Sequence, residues 1–341
     1  LLAFDLVGVQ PMTGPTGLIF AMKSAYTTQN GTEALFDEAN TEFSGVAAGT
    51  ANDSTNPFEG DSSDADSVDD YTPGPGMTTA QAEALGNTGS AFAEMAFSID
   101  KTTVTAKSRA LKAQYTIELA QDLKAVHGLS AETELANILS TEILAEMNRE
   151  IIRNINVKSV TSTVATDGQL DITATADNGG GRWLIERIKG MVFAMEKEAN
   201  IIATSTRRGK GNWAIVSHGV AAALNAAGMM DTGLGLSGPA NFDSDATGSL
   251  FAGTMTGGMK VYIDPYASVD YFTIGYKGAN PYDAGMFYCP YVPLSMMKTI
   301  GENDFQPKIG FKTRYGIADN PFVTAGAGAN VYYRKRQIMN L

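Results

Sequence analysis

The sequence predicts an α+β fold built in more than one lobe. Two long segments repeat apolar residues at helical spacing. Many short runs are rich in β-branched and aromatic residues, and 36 Gly and 12 Pro separate them with turns. At 341 residues and 44% hydrophobic content, the chain exceeds the size at which a single core keeps growing.

The elements follow in order. Residues 1–17 read as an extended arm, because Gln10-Pro11-Met12-Thr13-Gly14-Pro15-Thr16-Gly17 holds two Pro and two Gly and excludes a regular helix. Leu18 to Thr28 reads as a strand or a short helix. Residues 44–90 are poor in bulky apolar side chains and rich in Gly, Ser, Thr, Asp and Ala, so they bury little and read as a solvated insertion. Met95 to Lys107 regains strand character through Phe97, Ile99 and Val104. Two strand-like runs around a polar excursion predict a hairpin over 18–107 that carries an insertion at its tip.

Thr116 to His127 places Ile117, Ala120, Leu123 and Val126 on one helical face, and Gly128 stands at the C-cap position. Ser130 is positioned to cap the next helix, 131–156. There Leu135, Leu139, Ile143, Met147, Ile151 and Ile155 recur every four residues. A four-residue repeat drifts around a helix, so this stripe must meet more than one neighbour. Its length is roughly 40 Å, a strut. Val157 to Asp177 is strand-like, and Gly179-Gly180-Gly181 breaks the chain. Arg182 to Ile202 is a second long helix with Leu184, Ile188, Met191, Met195 and Ala199 as its core stripe. Trp213 to Ser217 reads as a buried strand, Val220 to Ala227 as a short helix, and 228–258 as Gly-rich loops. Lys260 to Asp264, Tyr271 to Tyr276, Met286 to Val292, Phe311 to Tyr315 and Val331 to Ile338 read as strands.

Charge is segregated. The chain holds 37 acids and 25 Lys and Arg, a net charge of -12. From Ser24 to Asp100 there are fourteen acids and no Lys, Arg or His. Removing them leaves 23 acids against 25 bases, so the remainder is near neutral at +2. Such separation predicts two differently charged faces and argues against nucleic-acid binding by the protein as a whole. No apolar run approaches the roughly 18 residues that span a bilayer. The first residue is not Met, so a segment is expected upstream of it. Cys289 is the single cysteine, which excludes an intrachain disulfide and makes a reducing compartment the default.

The text patterns that suggest chemistry lack their context. Gly233-x-Gly235-x-x-Gly238 spells a dinucleotide fingerprint, but no strand leads in and Pro239 follows, so it reads as a loop. Arg207-Arg208-Gly209-Lys210-Gly211 lacks P-loop spacing and reads as a basic turn after a helix. His127 reads as a helix-end residue and His218 as a turn residue. Neither has a second ligand at zinc spacing. Cys289 reads as buried. The run Asp61 to Asp70 lacks the EF-hand pattern and reads as a solvated acidic loop. On the 131–156 helix, Glu146 with Arg149 and Glu150 with Arg153 are spaced to pair at i, i+3. No catalytic, cofactor or metal site is expected, and the chain is not expected to be an enzyme.

Several stretches resemble the mature major capsid protein of T-even-type tailed phages. They are Asp5-Leu6-Val7-Gly8-Val9-Gln10-Pro11-Met12-Thr13-Gly14-Pro15-Thr16-Gly17, Lys107-Ser108-Arg109, Leu111 to Leu123, Val126-His127-Gly128, Asp270 to Gly278, and Gly310 to Gly316. The resemblance covers the chain end to end apart from residues 44–90. It implies the HK97-type capsid fold: an N-terminal arm (1–17), an E-loop hairpin (18–107), a peripheral domain (108–160 and 296–341) with the spine helix, and an axial domain (161–295). It implies hexameric capsomers of a phage head enclosing double-stranded DNA, and a propeptide removed at maturation. It also implies a vertex protein, portal, scaffold and decoration proteins as partners. The virion is the location, after assembly in the bacterial cytoplasm, with no membrane and no cofactor.

Candidate intersubunit contacts are Lys101, Lys107, Arg109, Glu146, Arg149, Glu150, Arg153, Arg207, Arg208 and Lys210. The acidic insertion, with Asp53, Glu59, Asp61, Asp64, Asp66, Asp69 and Asp70, is expected on the outer surface. The alternatives are the pentameric vertex protein of the same phages and, from another class, a carbohydrate-binding or adhesion module. The second is opposed by the insertion's few aromatics, Phe58 and Tyr71.

Overall fold

The computed structural model describes residues 1–35, 39, 41, 43–45, 76–87, 91–163, 168–173, 183–231, 243–244, 250–255, 257–322 and 326–341. The seven acids of the insertion, Gly179 to Gly181 and the Gly233–Gly238 loop lie outside them. The described chain runs α1 (Ala3–Leu6), β1 (Gly8–Val9), β2 (Thr16–Tyr26), α2 (Thr79–Glu83), β3 (Met95–Thr105), β4 (Lys107–Gln114), α3 (Ile117–His127) and α4 (Ala131–Lys158). It continues with β5 (Ser159–Thr161), β6 (Gln169–Asp171), α5 (Leu184–Thr206), β7 (Trp213–Ser217), α6 (His218–Ala226), β8 (Met230–Asp231), β9 (Asp243–Ser244) and β10 (Leu250–Met255). It ends with β11 (Met259–Asp264), β12 (Tyr271–Gly275), β13 (Met286–Ile300), β14 (Pro307–Asp319) and β15 (Asn330–Met339). Helices and sheets are mixed, as an α+β chain requires.

Contacts divide the chain into two compact units, Leu1–Ile19 with Lys101–Leu341, and Phe20–Asp100. In the smaller, Lys23 pairs with Asp100 at 3.3 Å and the rings of Tyr26 and Phe43 meet at a tilt, centroids 4.5 Å apart. The expected insertion also contains one regular element that polarity did not reveal. This is α2, which Thr78 and Gln81 close with reciprocal capping hydrogen bonds. Strands β2 and β3 pair as a two-stranded sheet.

The larger unit holds two sheets. One has the order β1-β13-β14-β4, and its inner face packs on α4: Ile309, Phe311 and Tyr315 meet Leu139, Ile143, Met147 and Ile151. The other has nine strands along β5-β15-β12-β7-β11-β10-β8, with β6 and β9 paired at its margins. Its core joins Ile188, Met191, Met195, Ala199 and Ile202 of α5 to Ala214, Val216, Val261, Phe272 and Ile274. Strand β7 is buried at all five residues, as expected of an interior strand flanked on both sides. At Gly275 a Cβ would lie 2.1 Å from the Trp213 ring, so that position admits only glycine.

Several expectations need correcting. Residues 1–17 are not a free extended arm. Leu2, Ala3, Leu6 and Val7 are buried, α1 is helical, and the Leu2 amide donates to Asn148 Oδ1 at 3.0 Å. The chain then runs parallel to β13, Gly8 opposite Phe287. Ser130 takes the N-cap position of α4 without a side-chain bond, whereas Thr116 does cap α3 by accepting from the Leu119 amide. Gly128 is left-handed at φ 67°, as expected of a C-cap glycine. Leu184, expected in the core, is exposed, and Glu198 is buried in its stead. His218 is the first residue of α6, capped by Ser217, and not a turn residue. The closing strand β15, expected with the peripheral lobe, lies between β5 and β12 in the nine-stranded sheet, and β13 continues past residue 295 without a break between lobes.

Candidate functional site

Of the charged residues singled out from the sequence, Arg109, Glu146 and Glu150 converge beside α4. Arg109, on β4, reaches across to the helix. Its Nη1 donates to Glu146 at 2.9 Å and its Nη2 to Glu150 at 2.7 Å, while Nε donates to the Tyr315 hydroxyl at 2.6 Å. The Tyr315 hydroxyl in turn donates to Glu150. Burial alone would pull the Arg109 guanidinium down, but the Glu150 and Tyr315 hydrogen bonds outweigh it and hold the cation above its ordinary value. Burial, then the Glu150 carboxylate, pushes the Tyr315 phenol up. Three planar donors held by three acceptors make a rigid clamp between strand and helix.

One turn along, Arg149 leaves this cluster and donates from Nη1 to both oxygens of Asp264, at 2.8 Å each. Asp264 also accepts from the Tyr271 hydroxyl at 2.7 Å and the Tyr266 amide at 3.0 Å. The i, i+3 pairs expected along the helix therefore do not form: Glu146 and Glu150 go to Arg109, and Arg149 goes to Asp264. At the end of α5, Arg208 meets Asp283 at 3.3 Å and Lys210 meets Glu196. Arg207 is the left-handed C-cap residue, at φ 53°. Thus Arg109, Glu146, Arg149, Glu150, Arg208 and Lys210 are answered within the chain, whereas the side chains of Lys101, Lys107, Arg153 and Arg207 are exposed and meet no partner among the described residues.

Sequence reasoning missed Asp264, Tyr315 and the buried pair of Glu198 with Arg334 at 2.5 Å. Glu198 had a readable signal: a lone acid in register with Ile188, Met191, Met195 and Ile202, the apolar stripe of α5. A charge at such a position demands a buried partner. A cavity of about 680 Å³ beside the clamp is lined by Thr102, Lys107, Arg109, Glu150, Asn154 and Lys158, and most of its charges are already paired. Among the described residues no cluster of three metal-ligating groups occurs. Cys289 is buried, and burial pushes its thiol up to about 11, so it is no nucleophile. Among the described residues no helix is long and apolar enough to cross a membrane.

The chain also exposes large apolar side chains. On β2, Leu18, Phe20 and Met22 occupy exposed alternate positions, and on β3 so do Met95, Phe97 and Ile99. Helix α3 buries no residue and exposes Ile117, Leu119 and Val126. Clamps inside and apolar elements outside define a structural protein made to associate.

The comparisons make that class specific. The family described as Major capsid protein Gp23 matches residues 1–338, and the chain belongs to it. It is 42% identical over 363 residues to the major capsid protein of Serratia phage KSP90, covering all of this chain and 82% of that protein. The major capsid protein of Enterobacteria phage T4 is 39% identical over 389 residues, covering 96% of this chain and 74% of the T4 protein. The capsid vertex protein of the same phage is 27% identical over 252 residues, 69% of this chain and 55% of the vertex protein. The capsid of Myoviridae phage XM1 aligns with 99% of this chain and 92% of its own at a TM-score of 0.49 and 9% identity. The family is one of structural proteins of the phage head, not of enzymes.

Proposed function

We propose that this chain builds the head of a tailed phage by associating with its own copies into hexameric capsomers around double-stranded DNA. The carrying observation is the pair of T4 relatives: the likeness to the major capsid protein is closer and longer than that to the vertex protein. The order of elements supports an HK97-type architecture, with a hairpin (β2, β3), a spine helix (α4) and a sheet-based second lobe. The exposed apolar residues of β2, β3 and α3, with the unanswered Lys101, Lys107, Arg153 and Arg207, are the surfaces offered to neighbours. A vertex protein fills the five-fold positions, and portal, scaffold and decoration proteins complete the particle. Electron microscopy of the purified protein tests this. Closed shells with six copies per capsomer are expected. Five-fold capsomers alone would make it a vertex protein, and a monomer that binds glycans would make it an adhesion module.

A further inference from the structure

The sheet β1-β13-β14-β4 has one face on α4; on the other, Phe287, Cys289 and Ala318 pack against Ile19 and Val104, and the stretch from Lys308 to Arg314 is left uncovered. Across the ladder, Lys308 stands opposite Gln114, Gly310 opposite Lys112, Lys312 opposite Ala110, and Arg314 opposite Ser108. On the other side Ser295, Met297 and Thr299 stand opposite Lys312, Gly310 and Lys308. Residues directly opposite share a face, and the intervening Ile309, Phe311 and Tyr315 point into the core. The uncovered face therefore carries Lys112, Lys308, Lys312 and Arg314 and no acid. Lys112 lies diagonally between Lys308 and Lys312, about 7–8 Å from each, because Gly310 stands opposite it without a side chain. Lys308 is met by Asp304 at 3.1 Å, and Arg314 lies over the Tyr291 ring at 5.1 Å. Among the described residues the ammonium groups of Lys112 and Lys312 have no partner. Like charges clustered on a sheet destabilise it unless an anion arrives.

The same chain contains that anion. Its acid-only run from Ser24 to Asp100 holds fourteen acids, seven of them between Asp53 and Asp70. Phosphates of packaged DNA would answer the lysines too, but Met297 on the face, with Met296 and Ile300 exposed at its margin, suits a protein partner. We propose that the uncovered face of this sheet receives the acidic segment 53–70 of a second copy. The contact deepens the shell reading and rests on it. It joins subunits by charge, so it weakens with salt.

The test uses the full chain assembled into shells from an equal mixture of isotopically heavy and light copies. Zero-length carbodiimide crosslinking should join Lys112 or Lys312 of one isotope to an acid in 53–70 of the other. K112E/K312E should raise the concentration needed for assembly about tenfold, and D64K/D66K in the same chain should restore it. K112Q/K312Q, which adds no repulsion, should give a smaller rise and shows whether the face still folds. Links confined to one isotope, or no links in well-formed shells, would overturn the proposal. So would lysines shielded from acetylation only when DNA fills the shell, since that assigns the face to phosphates. If the unaltered chain formed no shells, the shell reading itself would fail. Shells indifferent to K112E/K312E would sink this inference alone.

Discussion

Asp264 is a residue whose removal should be felt strongly among the ion pairs. Its side chain is 2% exposed and accepts from Arg149, Tyr271 and the Tyr266 amide, so it ties α4 to the ends of β11 and β12. Tyr271 extends the network, accepting from Asn156 on α4, whose amide oxygen accepts from Thr273. Asp264→Ala would strip the acceptor from these donors and leave a half-buried guanidinium unanswered. Breaking a buried pair from one side costs roughly 3–5 kcal/mol, and the partial exposure of Arg149 puts the expectation at about 3. Asp264→Asn keeps the shape and loses the charge, for about 2 kcal/mol. The contrast is Glu132, whose bond to Lys298 joins two side chains that are 36% and 48% exposed. Glu132→Gln should cost far less than Asp264→Ala, because solvent screens an exposed pair. The assay is urea unfolding of the unassembled chain at fixed concentration. It is followed by the fluorescence of Trp213, which is buried and loses its environment on unfolding. If Asp264→Ala cost no more than Glu132→Gln, burial would not be what sets the strength of these pairs, and the reasoning would be wrong.

Four further outcomes are expected. Arg109→Ala leaves Glu146 and Glu150 facing each other without a shared cation. It should cost about 1–2 kcal/mol in the same assay, with Arg109→Lys recovering only part because an ammonium cannot serve three acceptors at fork geometry. Gly275→Ala drives a methyl into the Trp213 ring and should cost roughly 3 kcal/mol, or prevent soluble folding. Burial pushes Tyr262 and Tyr288 from 10.0 up to about 12, and Cys289 from 9.0 up to about 11. Folded values above unfolded ones mean that this stability is complete below about pH 9 and is lost as pH rises through 12, which alkaline unfolding curves measure. Amide exchange should slow in β2, β3 and α3 on assembly and stay unchanged in β7 and β12.

The sequence was most legible where a local pattern and the tertiary environment agree. Strand β7 was expected at Trp213–Ser217 and is found there, α3 ends at the expected C-cap Gly128, and α4 begins after Ser130. The four-residue stripe of α4 is buried from Leu139 to Ile155 because two strands of the sheet and the N-terminal helix share it. Strand β13 was cut short because Pro290 and Pro293 interrupt its run. The structure absorbs them at two register shifts, between Pro290 and Val292 and between Val292 and Ser295. Helix α1 was hidden by the Pro and Gly that follow it, although Leu2, Ala3, Leu6 and Val7 already carry helical spacing. The ion pairs were the least legible part. Spacing along one helix favours i, i+3 neighbours, but Arg149 finds Asp264 at a separation of 115 residues. Only the packing of helix on sheet decides that choice.

Elements that bury little of their own need an outside reason to persist. An isolated eleven-residue helix is marginal in water, and so is an isolated two-stranded hairpin. Yet α3 has no buried residue, and β2 and β3 turn their larger apolar side chains outward. The alternation on both strands is regular, so this is not a register error. A one-residue slip would move Phe20, Met22, Phe97 and Ile99 to the opposite side together. Fully burying one such side chain is worth about 1.5–3 kcal/mol, so these residues hold enough unused driving force to offset the ordering of both elements once a neighbour covers them. The well-packed body, with its two cores and internal clamps, lacks that deficit. Stability of the single chain and stability of the assembly therefore reside in different residues, and a substitution at Phe97 should be silent in the first and costly in the second.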